Sequence, residues 1–213
     1  MLFRSHERSM KIAKELDDRS GQAMAYGNLG NEHYSLRNFI TAKNYYERYL
    51  KIVKELGDRS EEEKAFGNLG ITHHSLGDFK TAIDYHERGL NTAKELGDRS
   101  GEEKAYGNLG TTHLCLGDFK TAIDYNERRL KIAKELGDRS GEGNACGNLS
   151  NALFRLGDFK TAIGYHDRHL EIARELGDRS GEGKAYSHLG NFYLNTGDVK
   201  TAIDYYENCE RIG

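Results

Sequence analysis

Asparagine recurs at one register of this chain. Asn28, Asn68, Asn108 and Asn148 stand 40 residues apart, with His188 in the fifth place. Three residues further on, the same spacing gives Asn31, Ile71, Thr111, Asn151 and Asn191. A carboxamide carries both a donor and an acceptor, so it matches the C=O and N–H of a peptide unit. A ladder of such amides can hold an extended backbone without reading its side chains. Two more rows flank these: Met24, Lys64, Lys104, Asn144 and Lys184 on one side, and Ser35, Ser75, Cys115, Arg155 and Asn195 on the other. Lys64, Lys104, Lys184 and Arg155 would favour acidic side chains or a terminal carboxylate. No Asp or Glu occurs in the four rows, although the chain has 34 Asp+Glu against 31 Lys+Arg. The competing reading gives the asparagines to hydrogen bonds between neighbouring helices. It gives Gly27, Gly67, Gly107 and Gly147 to helix packing rather than to close approach of a ligand backbone.

Other constellations are sparse. His166 and His169 have a helical spacing compatible with a metal, but no third ligand accompanies them. His73 and His74 straddle two faces of a helix and cannot share an ion. Asn148-Leu-Ser150 matches a glycosylation sequon but lies mid-helix. There is no phosphate-binding glycine loop, no Gly-x-Ser-x-Gly and no His-Glu-x-x-His, so no catalytic role, cofactor or metal is expected. Cys115, Cys146 and Cys209 are odd in number and form no Cys-x-x-Cys pair. They read as small thiols in a reducing compartment. A net charge of −3 argues against nucleic acid as a partner. No apolar run is long enough to span a membrane, and the first residues lack a signal core, which together point to the cytoplasm.

The rows are held in register by a repeat. Asp-Arg-Ser begins at Asp18, Asp58, Asp98, Asp138 and Asp178, a period of 40. Leu-Gly-Asp begins at Leu56, Leu76, Leu96, Leu116, Leu136, Leu156 and Leu176, every 20 residues. Leu16-Asp17-Asp18, Leu36-Arg37-Asn38 and Thr196-Gly197-Asp198 are degenerate copies in the same phase. Glycine can take the left-handed conformation that closes a helix, and aspartate can cap the next one. The pattern therefore predicts two helices per unit, with leucine as the last core residue of each. Ser60 with Glu63 and Ser100 with Glu103 offer capping boxes as an alternative start. The glycines at 101, 141 and 181 favour aspartate as cap, with frayed first turns. In helix A of one unit, Ala105, Tyr106, Leu109, Gly110, His113 and Leu116 form a core stripe. In helix B the stripe is Ala122, Ile123, Leu130, Ala133 and Leu136. Lys104, Asn108, Thr111 and Cys115 fall within about 60° on the opposite face of helix A, at about 100° per residue. A single pair of this kind cannot cover its apolar face, so pairs must stack.

These motifs resemble the tetratricopeptide repeat. Tyr26-x-x-Leu29-Gly30, Phe66-x-x-Leu69-Gly70, Tyr106-x-x-Leu109-Gly110 and Tyr186-x-x-Leu189-Gly190 carry its helix A signature. Ala42, Ala82, Ala122, Ala162 and Ala202 carry its helix B alanine. Cys146 and Ser150 depart from the pattern in one unit, and His33, His73, His113 and Leu153 replace its second aromatic. The helix B aromatic sits one place early, at Tyr45, Tyr85, Tyr125, Tyr165 and Tyr205. The histidine row is expected to pack like an aromatic. The 40-residue length, with Asn28-Leu-Gly-Asn31 and Gly-Asp-Phe, is similar to the arrays of G-protein-signalling modulators (the Leu-Gly-Asn repeat proteins and Partner of Inscuteable) and to very large multi-repeat tetratricopeptide proteins.

The resemblance implies an all-α, right-handed superhelical solenoid of antiparallel helix pairs, with the A helices lining a concave groove. It implies a protein-interaction scaffold, and the amide and cation rows suit an extended, acidic peptide. The expected groove residues are Asn28, Asn31, Lys64, Asn68, Lys104, Asn108, Asn148, Asn151, Arg155, Lys184, His188 and Asn191. The alternative is a structural spacer or self-stacking piece of a longer array. Residues 1–16 read as a lone helix B, with Glu7-Arg8 aligned to Glu47-Arg48. Repeats then follow at 17–56, 57–96, 97–136, 137–176 and 177–213, the last truncated. With no polar capping helix at either end, the chain is expected to be part of a longer array, open to end-to-end association.

Overall fold

The computed structural model describes residues 2–212, without the side chains of residues 2–5 and 7. Met1, Gly213 and the Glu7 side chain used in the helix B alignment lie outside the described residues. Among those described, the chain forms helices and no strands: α1 (Leu2–Glu15), α2 (Arg19–Ser35), α3 (Phe39–Leu56), α4 (Arg59–Ser75), α5 (Phe79–Leu96), α6 (Arg99–Leu116), α7 (Phe119–Leu136), α8 (Arg139–Arg155), α9 (Phe159–Leu176), α10 (Arg179–Asn195) and α11 (Val199–Ile212). Two compact units result, residues 1–108 and residues 109–213. In the first, α2 packs on α3, α4 on α5, and α3 on α4. In the second, α8 packs on both α7 and α9, and α10 on both α9 and α11.

The repeated tripeptide, intact or degenerate, stands at the helix boundaries. Its glycine sits at φ between 66° and 86° at positions 57, 77, 97, 117, 137, 157, 177 and 197, a region open to glycine at no steric cost. Its aspartate serves two helices at once. The Asp58 N–H bonds the Val53 carbonyl at 3.0 Å and closes α3, while its carboxylate accepts from the Glu61 N–H at 3.0 Å and opens α4. Asp18, Asp98, Asp138 and Asp178 accept in the same way from Gly21, Gly101, Gly141 and Gly181. Aspartate is thus the cap, as expected, but the first turns are not frayed. The Glu62 and Glu142 N–H groups bond the cap carbonyls at 2.9 Å. At Gly101 a Cβ would lie 3.0 Å from Asp98 Oδ2 and 3.1 Å from Ala93 Cβ, so this glycine seats the cap rather than loosening the turn.

Where the tripeptide degenerates, a non-glycine residue is forced left-handed: Asp17 at φ 52° and Arg37 at φ 59°. That conformation costs an L-residue about 1–2 kcal/mol. Arg37→Gly is therefore expected to raise the unfolding free energy by about 1 kcal/mol, read by urea denaturation; an unchanged midpoint would contradict this account of the turn.

The core follows the predicted stripes, with one correction. Leu29, Leu69, Leu109, Leu149 and Leu189 on the A helices are fully buried, as are Ala42, Ala82, Ala122 and Ala162 on the B helices. The leucine before each glycine is not a core residue: Leu56 is 48% exposed, Leu136 47% and Leu176 50%. The left-handed glycine ends the rod just beyond it, so no neighbouring helix reaches over that position. Val53, Ala93, Ala133 and Ala173, one turn earlier, are buried instead. Ile123 and Leu130 are half-buried.

The arginine of Asp-Arg-Ser has a structural task the sequence reading left unassigned. It crosses from the start of helix A to the end of helix B in the same pair: Arg19 to Glu55, Arg59 to Glu95 and Arg139 to Glu175. The same guanidinium holds the carboxylate at the third helical position, as in Arg59 with Glu62 and Arg139 with Glu142. Part of the charged helix B surface is therefore this strap.

Candidate functional site

The amide and cation rows lie on the solvent side of the A helices. Asn28, Asn31, Lys64, Lys104, Arg155, Lys184 and Asn191 are exposed; Asn68, Asn108, Asn148, Asn151 and His188 are half-buried; none is fully buried. In the first unit, Asn28, Asn31, Lys64 and Asn68 share a cleft of about 230 Å³ with Met24, Gly27, Tyr49 and Glu61. Lys104 and Asn108 do not line it. In the second unit, Asn151, Arg155, His188 and Asn191 share a cleft of about 690 Å³. Asn148 and Lys184 stand outside it.

The clefts differ in charge. In the first, Lys64 is 2.6 Å from Glu61, which also accepts from the Tyr49 hydroxyl. The hydrogen bond from Lys64, then that from Tyr49, holds the Glu61 carboxyl below its usual range. The row contains no acid, yet the acid one turn away offsets its ammonium. In the second, Arg155 has no carboxylate partner among the described residues, and its guanidinium stands 5.3 Å from the centre of the Phe119 ring. Phe154 and Phe192 stack beneath at 4.3 Å. Asn151, Asn191 and Asn195 complete the rim. His188 stacks on His166 at 5.0 Å, and burial lowers its pKa, so it stands neutral at pH 7.

Buried partners fix which way several amides face. The Tyr46 hydroxyl donates to Asn31 Oδ1 at 2.7 Å and the Tyr206 hydroxyl to Asn191 Oδ1 at 2.9 Å. Each of these amides is left with its NH₂ to offer. Asn148 is set the other way, donating to Thr111 and Asn126 at 3.2 Å and keeping an acceptor to offer. Hydrogen bonding to neighbours, the competing reading of the asparagines, thus holds for these three without consuming them.

The glycines beside the rows do not share one role, since a Cβ on Gly67 would meet nothing within 4 Å. A Cβ on Gly27 would meet the Tyr49 ring at 3.9 Å, and one on Gly147 would meet His169 at 3.2 Å. The His73 and His113 rings pack on Tyr85 and Tyr125 at 5.4 and 5.5 Å, as expected, and their Nδ1 atoms reach Asp78 and Asp118. His166 and His169 have ring centres 6.1 Å apart, and among the described residues no three His, Cys, Asp or Glu converge as a metal site would require.

Two features escaped the sequence reading. One is the aromatic floor of Phe119, Phe154 and Phe192. The other is a helix B row one residue after the expected aromatic: Tyr46, His86, Asn126 and His166, all buried, and the half-buried Tyr206. Tyr46, His86, Asn126 and Tyr206 lie across Gly30, Gly70, Gly110 and Gly190 of their own pairs. Its signal was available as a 40-residue recurrence of planar side chains opposite glycine.

Comparison with known proteins gives these features a context. Models described as tetratricopeptide repeat match residues 22–60, 61–135 and 143–212. G-protein-signaling modulator 1 of Homo sapiens is 57% identical over 37 residues, which is 17% of this chain and 6% of that protein. Among solved structures, BtubC (BKLC) from P. vanneervenii superposes with a TM-score of 0.86 at 21% identity, covering 99% of this chain and 89% of that one. A Rap protein complexed with Competence and Sporulation Factor gives 0.78 at 16% identity, covering 90% and 54%. The helix pairs, their shared turn and the matched residues, which span most of the sequence, place this chain in the tetratricopeptide repeat family.

Proposed function

We propose that the chain is a protein-interaction scaffold whose A-helix face holds an extended peptide segment, and that the cleft around Arg155 receives an acidic side chain or terminal carboxylate. The observation that carries this reading is the guanidinium of Arg155, without a carboxylate partner among the described residues, above an aromatic floor rimmed by Asn151, Asn191 and Asn195. A carboxylate there would gain charge-assisted hydrogen bonds, and the aromatic rings would take an apolar neighbour. Asn191 offers donors to a peptide carbonyl, and the Asn148 acceptor suits a peptide N–H. The structural neighbour bound to Competence and Sporulation Factor shows that this fold can hold another molecule. The 40-residue units from 17–56 to 177–213 are the modules proposed to carry the rows.

A peptide array probed with the whole chain tests this. Acidic peptides are expected to be retained, to bind at least tenfold more weakly to the Arg155→Glu, Asn191→Ala variant, and to weaken as salt screens the guanidinium. Retention that ignores both the variant and the salt would overturn the assignment. An array that retains no peptide would favour the spacer reading.

A further inference from the structure

The outer surface repeats a second motif whose last copy is incomplete. In the first two helix pairs, the aromatic residue that opens the A-helix signature carries two cations. Tyr26 has Lys14 at 5.9 Å and Arg48 at 5.7 Å from its ring centre. Phe66 has Lys54 at 5.3 Å and Arg88 at 4.4 Å. The lysine comes from the preceding helix B and the arginine from the helix B of the same pair. The Arg88 guanidinium also stands 5.5 Å from the Tyr85 ring, which feels the charge of Glu47. The Arg88 guanidinium thus occupies a niche with two aromatic walls and pairs with Asp84 of its own helix at 3.5 Å.

In the fifth pair the walls remain and the arginine does not. Tyr186 and Tyr205 have ring centres 6.2 Å apart, against 6.3 Å for Phe66 and Tyr85. Arg174 of the preceding helix lies 5.5 Å from the Tyr186 ring, in the lysine's role, and bonds the Tyr186 hydroxyl. The place of Arg48 and Arg88 is taken by Asn208, whose short side chain turns back to the Asp204 carbonyl at 2.8 Å. A cleft of about 740 Å³ opens there. Two of its carboxylates are engaged, Glu171 by Arg168 and Glu175 by Arg139. The third, Asp167, has no ion-pair partner among the described residues, and its charge is felt by Tyr205 as that of Glu47 is by Tyr85.

We infer that this cleft between α9, α10 and α11 is a receptor for an arginine side chain of a partner protein, which would enter the niche that Arg48 and Arg88 fill from within the chain. A guanidinium stacks on aromatic faces and pairs with a carboxylate in two-pronged fashion, whereas an ammonium does neither as well. The site is separate from the A-helix clefts and does not depend on the function proposed for them.

The test is titration of the whole chain with a Gly-Arg-Gly peptide, followed by the NMR signals of Tyr186 and Tyr205. Gly-Lys-Gly and Gly-citrulline-Gly serve as controls. The arginine peptide is expected to shift both tyrosines and the lysine peptide to bind several-fold more weakly, while citrulline leaves them unmoved. Asn208→Arg supplies the missing side chain. It is expected to raise the melting temperature and to weaken arginine-peptide binding at least tenfold. Asp167→Asn is expected to weaken binding without altering the melting temperature. Equal binding of arginine and citrulline, or unchanged binding to Asn208→Arg, would overturn the assignment.

Discussion

Acidification from pH 7 to pH 4 is expected to remove several kcal/mol of folding stability through two histidines that no charge stabilises. His86 is 2% exposed and His166 is 1% exposed. Both ring nitrogens of His166 and the Nδ1 of His86 lack hydrogen-bond partners. Burial, with lesser repulsion from His74, brings His86 to about 4. Burial, with His188 and then His169 beside it, brings His166 to about 3. In the unfolded chain both titrate near 6.5. As pH falls below 6.5 the unfolded state takes up protons that the folded state refuses. Stability present in full above pH 6.5 is thus lost progressively, down to the folded values. At 1.36 kcal/mol per tenfold change in proton affinity, the full effect is about 3–5 kcal/mol for each residue. The carboxylates held low, Asp78, Asp118 and Glu61 among them, act below this range. Urea midpoints between pH 7.5 and 5 therefore report chiefly on histidines, with His74, His169 and His188, also lowered by burial, adding to the slope. The His86→Phe, His166→Phe variant is expected to flatten that slope; an equal slope in wild type and variant would refute the assignment.

The second large effect concerns the glycine under Tyr46. A Cβ at Gly30 would lie 2.5 Å from the Tyr46 ring, which is 3% exposed and pinned by its hydroxyl to Asn31. Gly30→Val is expected to lower stability by about 2 kcal/mol net. Overpacking costs about 1–3 kcal/mol or somewhat more, and the lost backbone freedom of glycine returns up to about 1 kcal/mol. Tyr46→Ala opens the same space, so the double variant should be destabilised by less than the sum of the two singles. Strict additivity would show that the ring and the glycine do not oppose each other.

The architecture was legible because its punctuation is chemical. A left-handed glycine and a two-sided aspartate every 20 residues leave little choice of helix boundary, and the buried leucine and alanine rows follow from helical periodicity. The exposure of Leu56 or Leu136 was not legible, because periodicity describes the face of a rod and not where its neighbour ends. The Tyr46 to Tyr206 row was hidden because tyrosine, histidine and asparagine share no single chemistry, only a planar shape that fits over glycine. At the candidate site, the exposure of the amide rows followed from the pattern. The neutralisation of Lys64 by Glu61 did not, since that acid occurs in one repeat only. Nor did the floor of Phe154 and Phe192, two positions that hold tyrosine, histidine, leucine, glutamate, threonine or alanine in other repeats.

The arginine straps bear on how such a chain can change length. Arg19 and Glu55, Arg59 and Glu95, and Arg139 and Glu175 each lie 36 residues apart on the two helices of one pair. Cutting between a glycine and the following aspartate leaves each latch whole within its 40-residue cassette. Duplicating, deleting or shuffling cassettes orphans no arginine of this kind, so the array can grow or shrink by whole steps with every such latch intact.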